Sequence, residues 1–361
     1  MMAATGTFTR NPKSFSHSRH APPPPGLKIG PNGTPIVSTG IQDLDQLLGG
    51  GVPVGSLIMV MEDSEAPHHL LLLRNFMSQG VLHRQPLLYA SPAHSPRAFL
   101  GTLPAPIPPR THLHTPSQQQ EEDLRIAWQY KKYFGNEQMF VESHRGNHWD
   151  FCNEFDLRKS LDRQLLGAAH IDCVNLQDVE DLASLRDRCS AFLAPFARTE
   201  EGITCVGRVA IQSFCSPQCR YSNSDWDMLF FIKSLRSMLR SSNAVAMITF
   251  TPSVVSSSSV CMRWQHLADT LLSLRTIPDD DKEMAKLLTD YQDMFGLLHI
   301  HKVGRLNSQV PVILEATTYS LKVIRRKTLV LERLNQAPVD ASGGGSLGGC
   351  SGSSSARLLD F

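Results

Sequence analysis

Residues 38 to 61, Ser-Thr-Gly-Ile-Gln-Asp-Leu-Asp-Gln-Leu-Leu-Gly-Gly-Gly-Val-Pro-Val-Gly-Ser-Leu-Ile-Met-Val-Met, decide the fold. A Ser-Thr-Gly turn precedes a short amphipathic helix whose apolar side chains are Ile41, Leu44, Leu47 and Leu48. The three glycines at 49 to 51 end that helix, because glycine adopts the left-handed conformation that a C-terminal cap needs. The continuous apolar run from Leu57 to Met61 then predicts a strand that is buried on both faces.

This order of turn, helix, glycines and buried strand resembles the entry of RecA-like ATPase domains, in which the phosphate-binding loop follows. That loop has the pattern Gly-x-x-x-x-Gly-Lys-Ser/Thr, which supplies backbone amides and a lysine for the phosphates and a hydroxyl for magnesium. The chain has no glycine or lysine here, and Gly-Lys occurs nowhere in its 361 residues. The loop contains three carboxylates, which would oppose a polyanion. We therefore predict a degenerate P-loop, made of Glu62, Asp63, Ser64, Glu65, Ala66, Pro67, His68 and His69.

A second catalytic position also departs from the ATPase pattern. The apolar run Val206 to Ser213 predicts a buried strand, and in active RecA-like ATPases the strand at this place ends in an aspartate that positions magnesium. Here the run ends in Gln212 and Ser213, which are neutral and bind a divalent ion poorly. The sequence therefore predicts no catalytic residue and no cofactor.

Composition limits the class of protein. A hydrophobic content of 41% is enough for a core, and a formal net charge of +1 means that any surface for nucleic acid must be local. No apolar run approaches the roughly 18 residues of a membrane span. The eight cysteines are scattered through apolar stretches, which is typical of a reducing compartment. Cys215 and Cys219 have no second pair at zinc-ligand spacing, so we predict no metal site.

Composition also divides the chain into a domain and two tails. Residues 1–27 are basic, and both an organelle transit peptide and a disordered tail fit, but the prolines favour the disordered basic tail. Residues 101–120 contain five prolines and a triple glutamine, which predicts an exposed insertion. Residues 336–361 are rich in glycine and serine and are predicted to be disordered. Residues 28–335 therefore form the folded domain.

Alternating patterns within that domain predict its fold class. Helices are expected at 66–81, 121–134, 157–168, 178–196, 225–239 and after Asp279, with strands at 57–61, 86–90, 171–174, 206–213, 244–250, 270–277, 296–303, 320–326 and 328–334. The serine run 256–259 is interpreted as a mobile loop. We predict an α/β RecA-like domain with a largely parallel central sheet, helices on both faces and a strand-rich C-terminal end.

From about Ile36 to Pro338, the sequence resembles the Elongator complex protein 4 family. The resemblance rests on Ser38-Thr39-Gly40, Gly49 to Pro53, Glu62-Asp63, Val209 to Ser213, Gly296 to Ile300 with Arg305 to Asn307, and Lys327 to Leu334. It implies a RecA-like subunit that assembles with Elongator subunits 5 and 6 into a heterohexameric ring in the cytoplasm and nucleus. That ring binds tRNA and works with the Elongator catalytic subcomplex to modify the wobble uridine.

The resemblance leaves three functions open for this chain. The first is a non-catalytic ring subunit, because both catalytic positions are missing. The second is a residual ATPase acting in tRNA release, in which His68 or an arginine of a partner subunit replaces the lysine. The third is a structural scaffold whose partners alone contact tRNA.

The basic residues near the C-terminal end are candidates for RNA contact. With net charge near zero, RNA binding requires a local basic segment, and the densest one comprises Lys302, Arg305, Lys322, Arg325, Arg326 and Lys327. Pairing of these cations with the acidic run Asp279 to Asp281 is the alternative.

Overall fold

The computed structural model describes residues 23–30, 33–108, 151–199, 202–255, 257–277, 294–306, 314 and 316–334. The strands are β1 (Leu27–Ile29), β2 (Pro35–Val37), β3 (Val52–Pro53), β4 (Leu57–Met61), β5 (Leu87–Ser91), β6 (Pro104–Pro106), β7 (Phe155–Ser160), β8 (Ile171–Asn175), β9 (Gly207–Ile211), β10 (Ala244–Phe250), β11 (Thr270–Thr276), β12 (Met294–Lys302), β13 (Thr318–Ile324) and β14 (Thr328–Arg333). The helices are α1 (Gln42–Leu47), α2 (His69–Leu82), α3 (Pro96–Leu100), α4 (Arg163–Ala168), α5 (Leu182–Leu193), α6 (Asp225–Arg240) and α7 (Ser258–Leu267).

Nine strands form one central sheet in the order β14-β13-β12-β11-β4-β10-β9-β5-β8. The six strands from β11 to β8 are parallel to one another, and β12, β13 and β14 extend the sheet in antiparallel pairs. We call the side where the parallel strands end the carboxyl edge, and the side where they begin the amino edge. The predicted α/β fold with a large, mostly parallel sheet is confirmed.

Side chains of the central strands point alternately to the two faces of the sheet, and both faces are buried. In β4, Ile58 and Val60 pack in one apolar cluster with residues of α1 and α2, whereas Leu57 and Met59 pack in a second cluster with residues of α5, α6 and α7. The continuous apolar run in the sequence is explained by this double burial, since a strand with helices on both faces needs no polar side.

The Ser-Thr-Gly turn is held by a buried carboxylate. Asp45 on α1 accepts hydrogen bonds from the Ser38 Oγ at 2.5 Å and from the Thr39 backbone nitrogen at 2.7 Å. Burial raises the pKa of Asp45, and these hydrogen bonds oppose that shift. Gly40 has a φ of +83°, and a Cβ there would lie 2.5 Å from the Asn75 backbone oxygen. Only glycine fits this close approach of the turn to α2.

The structure corrects two sequence predictions. Residues 157–168 were predicted to be one helix, but Phe155–Ser160 is strand β7, paired with β6, and α4 begins only at Arg163. The serine run was interpreted as a mobile loop, but Ser257 caps α7 and accepts a hydrogen bond from the Ser259 backbone nitrogen. The other predicted helices and strands that the structure describes lie within a few residues of their predicted bounds, whereas β1, β2, β3, α3 and β6 were not predicted.

Several predictions fall outside the described residues. These are most of the two predicted tails, the insertion beyond residue 108, and the helices expected at 121–134 and after Asp279. Within the described part of the chain, no helix is long and apolar enough to cross a membrane. No cluster of three or more potential metal-ligating side chains occurs there either.

Candidate functional site

The loop between β4 and α2 lies at the carboxyl edge, where parallel sheets commonly bind ligands. It comprises residues 62–68, all of which the structure describes. None of these residues has a positive φ. The loop therefore lacks the left-handed backbone that lets successive amide groups turn toward one anion.

The Glu62 side chain points inward from this loop and connects the ends of three strands through hydrogen bonds. Its carboxylate accepts hydrogen bonds from the Thr249 Oγ1 at 2.5 Å, the Ser213 Oγ at 2.9 Å and the Thr251 Oγ1 at 2.9 Å. Thr249 belongs to β10, Thr251 follows it, and Ser213 follows β9. Glu62 is only 9% exposed. A buried carboxylate with three hydroxyl donors is well satisfied, and it occupies the point where the ends of β4, β9 and β10 meet.

The other loop residues are also used inside the protein or are exposed. Asp63 accepts hydrogen bonds from the backbone nitrogens of Thr276 and Glu65. The His68 ring makes an edge contact with Phe295, with the centroids 4.9 Å apart. Ser64, Glu65 and Pro67 are exposed.

His69 is buried at the start of α2, beside Glu62. Its Nε2 lies 3.6 Å from the Glu62 Oε1. Burial lowers the pKa of His69, the Glu62 carboxylate raises it, and His68 lowers it further. Because the net shift is downward, the imidazole is neutral at pH 7 and supplies no positive charge for a phosphate.

Gln212 and Ser213, which follow β9, lie next to this loop, and neither side chain is a carboxylate. Gln212 accepts hydrogen bonds through its Oε1 from the Tyr89 hydroxyl and from the Ser91 Oγ. Ser213 has a φ of +45°, and its backbone nitrogen donates to the Thr249 Oγ1 at 2.8 Å. The Gln212 and Ser213 side chains therefore bond to neighbouring strands rather than pointing together into an open site.

The six basic residues predicted to contact RNA form two groups rather than one. Lys302 ends β12 at the amino edge, and the exposed Arg305 follows it. Lys322 pairs with Met294 at the opposite end of β12, about 27 Å away at roughly 3.4 Å per residue. Lys322 forms an ion pair with Glu332 at 2.6 Å. The group at the carboxyl edge therefore comprises Lys322, Arg325, Arg326 and Lys327.

Arg325 and Arg326 form the tip of the β13–β14 hairpin, which we call the arginine turn. Their φ angles are 54° and 55°, and the Lys327 backbone nitrogen donates to the Ile324 carbonyl at 3.0 Å. Positive φ at both central residues is the feature of a type I′ turn, which strongly prefers Asn-Gly. Two arginines in this conformation cost about 1–3 kcal/mol each. Both are exposed.

The arginine turn borders an open cleft of about 640 Å³. Arg325 and Lys327 line one side, and Gln42, Asn153 and Glu154 lie among the residues around it. The hairpin is anchored there by the Lys327 carbonyl, which accepts a hydrogen bond from the Leu157 backbone nitrogen at 2.9 Å. Lys327 Nζ also lies 3.8 Å from the Asp156 carboxylate. The exposed guanidinium groups therefore sit on a fixed part of the fold.

A family model described as PAXNEB protein matches residues 20–361. The chain belongs to the PAXNEB family. Among individual relatives, Elongator complex protein 4 of Dictyostelium discoideum is 27% identical over 360 residues, which covers 90% of this chain and 80% of the relative. Elongator complex protein 4 of Mus musculus is 29% identical, with 85% and 78% covered. That of Homo sapiens is 27% identical, with the same coverage.

These comparisons confirm the resemblance inferred from the sequence. The match to the PAXNEB model includes the Ser-Thr-Gly turn, the loop 62–68 and the arginine turn, so the structural features described above lie within the family region.

Proposed function

We propose that this PAXNEB protein is a non-catalytic subunit of the Elongator complex. Its relatives named Elongator complex protein 4 support membership of that complex. The observation that carries the non-catalytic role is Glu62, whose buried carboxylate takes three hydroxyl donors where the central strands end. A negative charge at this position opposes a nucleotide phosphate.

The strand order supports a RecA-like domain with a degenerate P-loop. β10 lies between β4 and β9, and β11 flanks β4 on the other side. In this account the loop 62–68 is the degenerate P-loop, and Gln212-Ser213 replaces the acidic end of the magnesium strand. RecA-like domains bind nucleotide between neighbouring subunits, so a degenerate cleft leaves the surface for assembly intact. We propose a heterohexameric ring with Elongator subunits 5 and 6 that supports wobble-uridine modification by the catalytic subcomplex, in the cytoplasm and nucleus.

ATP hydrolysis separates this proposal from the residual-ATPase alternative. We expect no magnesium-dependent turnover by the isolated chain, because Glu62 and Asp63 oppose the phosphates and His69 is neutral. Release of phosphate from ATP is the measurement. Turnover that disappears in His68→Ala would contradict the proposal and favour the ATPase.

Binding of tRNA separates the proposal from the scaffold alternative. The arginine turn places on a fixed hairpin two exposed charges that form no ion pair with a described residue, and arginine is well suited to phosphate contacts. Replacing Arg325-Arg326 with Asn-Gly in the assembled ring removes both charges and keeps the turn. We expect tRNA affinity to fall about tenfold and its salt dependence to become shallower by about two charges.

Two controls accompany the Asn-Gly replacement: a measurement of its stability, and a variant that keeps both positive charges. Because Asn-Gly suits a type I′ turn, the substitution should leave stability unchanged or raise it by about 1–3 kcal/mol. The Arg325→Lys/Arg326→Lys variant should retain most of the affinity. Unchanged tRNA binding by the Asn-Gly variant would mean that the turn does not contact RNA, and the scaffold alternative would then be favoured.

A further inference from the structure

A second group of cations lies at the amino edge, far from the arginine turn. Arg236 and Arg240, one turn apart on α6, both donate to the Asp269 Oδ1, at 3.1 and 2.6 Å. Lys302 donates through Nζ to the Ala268 carbonyl at 2.6 Å. Burial lowers the pKa of Lys302, and Arg236 and Arg240 lower it further while Asp269 opposes them. The three cations are therefore close enough to repel one another.

Arg198 adds a fourth positive charge to this edge. Its guanidinium donates to the Val54 carbonyl at 3.1 Å and to the Ser242 carbonyl at 3.3 Å. The adjacent Gly55 carbonyl accepts a hydrogen bond from Arg240 at 3.2 Å. The hydrogen bonds of Arg198 thus go to neutral acceptors, and no carboxylate in the described part of the chain forms an ion pair with it.

The carboxylates do not balance these cations. Among the described residues, Asp269 is the one carboxylate that pairs with any of these four side chains, and it pairs with Arg236 and Arg240. Its Oδ2 also accepts a hydrogen bond from the Leu57 backbone nitrogen at 2.9 Å. The Nε of Arg236 is buried and has no hydrogen-bond partner in the described part of the chain. Four cations against one carboxylate leave an excess of three positive charges, which attracts a polyanion.

The outer face of α6 continues this surface with aromatic side chains. Lys233 is exposed one turn before Arg236. Phe230 and Trp226, at helical spacing before it, are 57% and 69% exposed. The Arg263 guanidinium lies 5.2 Å from the Trp226 ring centroid. Exposed aromatic rings beside a row of cations suit unpaired bases that stack while their phosphates contact the charges.

We propose that this surface is a second RNA contact, which takes a single-stranded segment. We call it the α6 strip, and it comprises Trp226, Phe230, Lys233, Arg236, Arg240 and Lys302. The phosphates lie along the cations, and the unpaired bases stack on the two aromatic rings. This inference rests on the RNA binding in the proposed function and adds a contact at the opposite end of the sheet from the arginine turn. Asp225 and Asp227 flank Trp226 in the first turn of α6, so the positive charge of the strip is concentrated at its Arg236, Arg240 and Lys302 end. Protein interfaces also use tryptophan and arginine, but this concentration of positive charge favours RNA.

Lys233 of the α6 strip and Arg305, three residues after Lys302 of the strip, are suitable for the test. Both are exposed, and neither forms a hydrogen bond or ion pair with another described residue. The variant Lys233→Glu/Arg305→Glu is prepared in the complex with the two partner subunits. The matched control is Lys159→Glu/Arg163→Glu, which reverses two exposed charges next to α4, whose Leu165 and Leu166 pack on the other face of the sheet. Affinity for tRNA is measured by fluorescence anisotropy over a range of salt concentrations.

We expect the Lys233→Glu/Arg305→Glu complex to bind tRNA at least tenfold more weakly than wild type at low salt. The slope of log affinity against log salt should become shallower by about two, and the control should change much less. A second variant, Trp226→Ala/Phe230→Ala, should weaken binding of a single-stranded RNA oligonucleotide about tenfold while leaving the salt slope unchanged. When Lys233→Glu/Arg305→Glu is combined with the Asn-Gly replacement of the arginine turn, the two fold-losses in tRNA affinity should multiply. The reason is that the two contacts are well separated.

Three results would overturn the inference. If the wild-type complex binds no tRNA, the proposed RNA binding fails, and the α6 strip contact fails with it. If wild type binds and the Lys233→Glu/Arg305→Glu variant matches its control, the α6 strip alone is excluded. If the variant loses a partner subunit, as shown by the mass of the complex, the strip is a protein interface.

Discussion

Replacing Arg208 with alanine is expected to lower the free energy of unfolding by about 3–5 kcal/mol. Arg208 lies on β9 and is fully buried. Its guanidinium donates to the Gln85 Oε1 at 2.6 Å, the Phe76 carbonyl at 2.9 Å and the Ser38 carbonyl at 3.0 Å. The substitution removes these hydrogen bonds and leaves a cavity against α2. It also leaves two buried carbonyl groups without this donor.

The Arg208 environment explains why the effect is large. The guanidinium lies 4.6 Å from the Phe76 ring centroid, and a Cβ on Gly80 would lie 2.6 Å from its Cδ. Burial lowers the pKa of Arg208 to about 9, and the nearby Asp45 carboxylate opposes this shift. Arg208 therefore connects the Ser-Thr-Gly turn to α2 and β9, and losing it affects all three.

Guanidinium unfolding of the variant and a matched control measures the effect. Arg188→Ala removes an arginine that pairs with Asp172 on the surface, where the cost is about 0–1 kcal/mol. Equal and small losses in both variants would mean that Arg208 does not connect these elements in the folded protein.

Replacing Glu62 with alanine is expected to lower the free energy of unfolding by about 2–4 kcal/mol. The substitution removes the acceptor shared by Ser213, Thr249 and Thr251. Some of this cost is recovered if water enters and bonds to the hydroxyl groups. Glu62→Gln keeps one oxygen acceptor and should cost less. Neither variant should gain ATP binding, because the loop still lacks its glycines and lysine.

Glu65→Ala is the control on the same loop. Glu65 is exposed and accepts a hydrogen bond only from its neighbour Ser64 among side chains of the described residues. Its removal should change stability by no more than about 0.5 kcal/mol. Thermal unfolding of the three variants provides the comparison. If Glu62→Ala is as stable as Glu65→Ala, the carboxylate does not hold the strand ends together.

The central sheet could be predicted because its strands are apolar on both faces. Leu57 to Met61 and Ala244 to Phe250 are short uninterrupted apolar runs, and both form the predicted strands. Strand β7 was missed because Phe155 and Leu157 are followed by charged residues. Among the described strands, it pairs with the three-residue β6 alone. Helix α7 was missed because its opening serines hid the helical spacing of Cys261 and Trp264.

The sequence predicted which residue types form the loop after β4, but it did not predict which atoms their side chains contact. The carboxylates of Glu62 and Asp63 were expected to oppose a polyanion, and nothing in the sequence indicated that both accept internal hydrogen bonds. Arg208 could have been found from its place inside an apolar strand, because a charge there must be buried. The grouping of Lys302 with Arg325 failed because neighbouring antiparallel strands place their ends at opposite edges of the sheet.

The α6 strip had no signal in the sequence that separates it from an ordinary surface helix. Its cations come from α6 and from β12, more than 60 residues apart in the chain, and only folding brings them together. A count of charge along the chain gives the most weight to the dense run Lys322 to Lys327 and misses a surface built from distant segments.

The mass of the assembled complex tests the central claim most directly. The full chain is co-expressed with Elongator subunits 5 and 6, purified through a tag on this chain, and examined by native mass spectrometry. Membership of the ring predicts a heterohexamer with two copies of each subunit. A chain that stays monomeric, with the same mass whether or not the two subunits are present, would contradict the account.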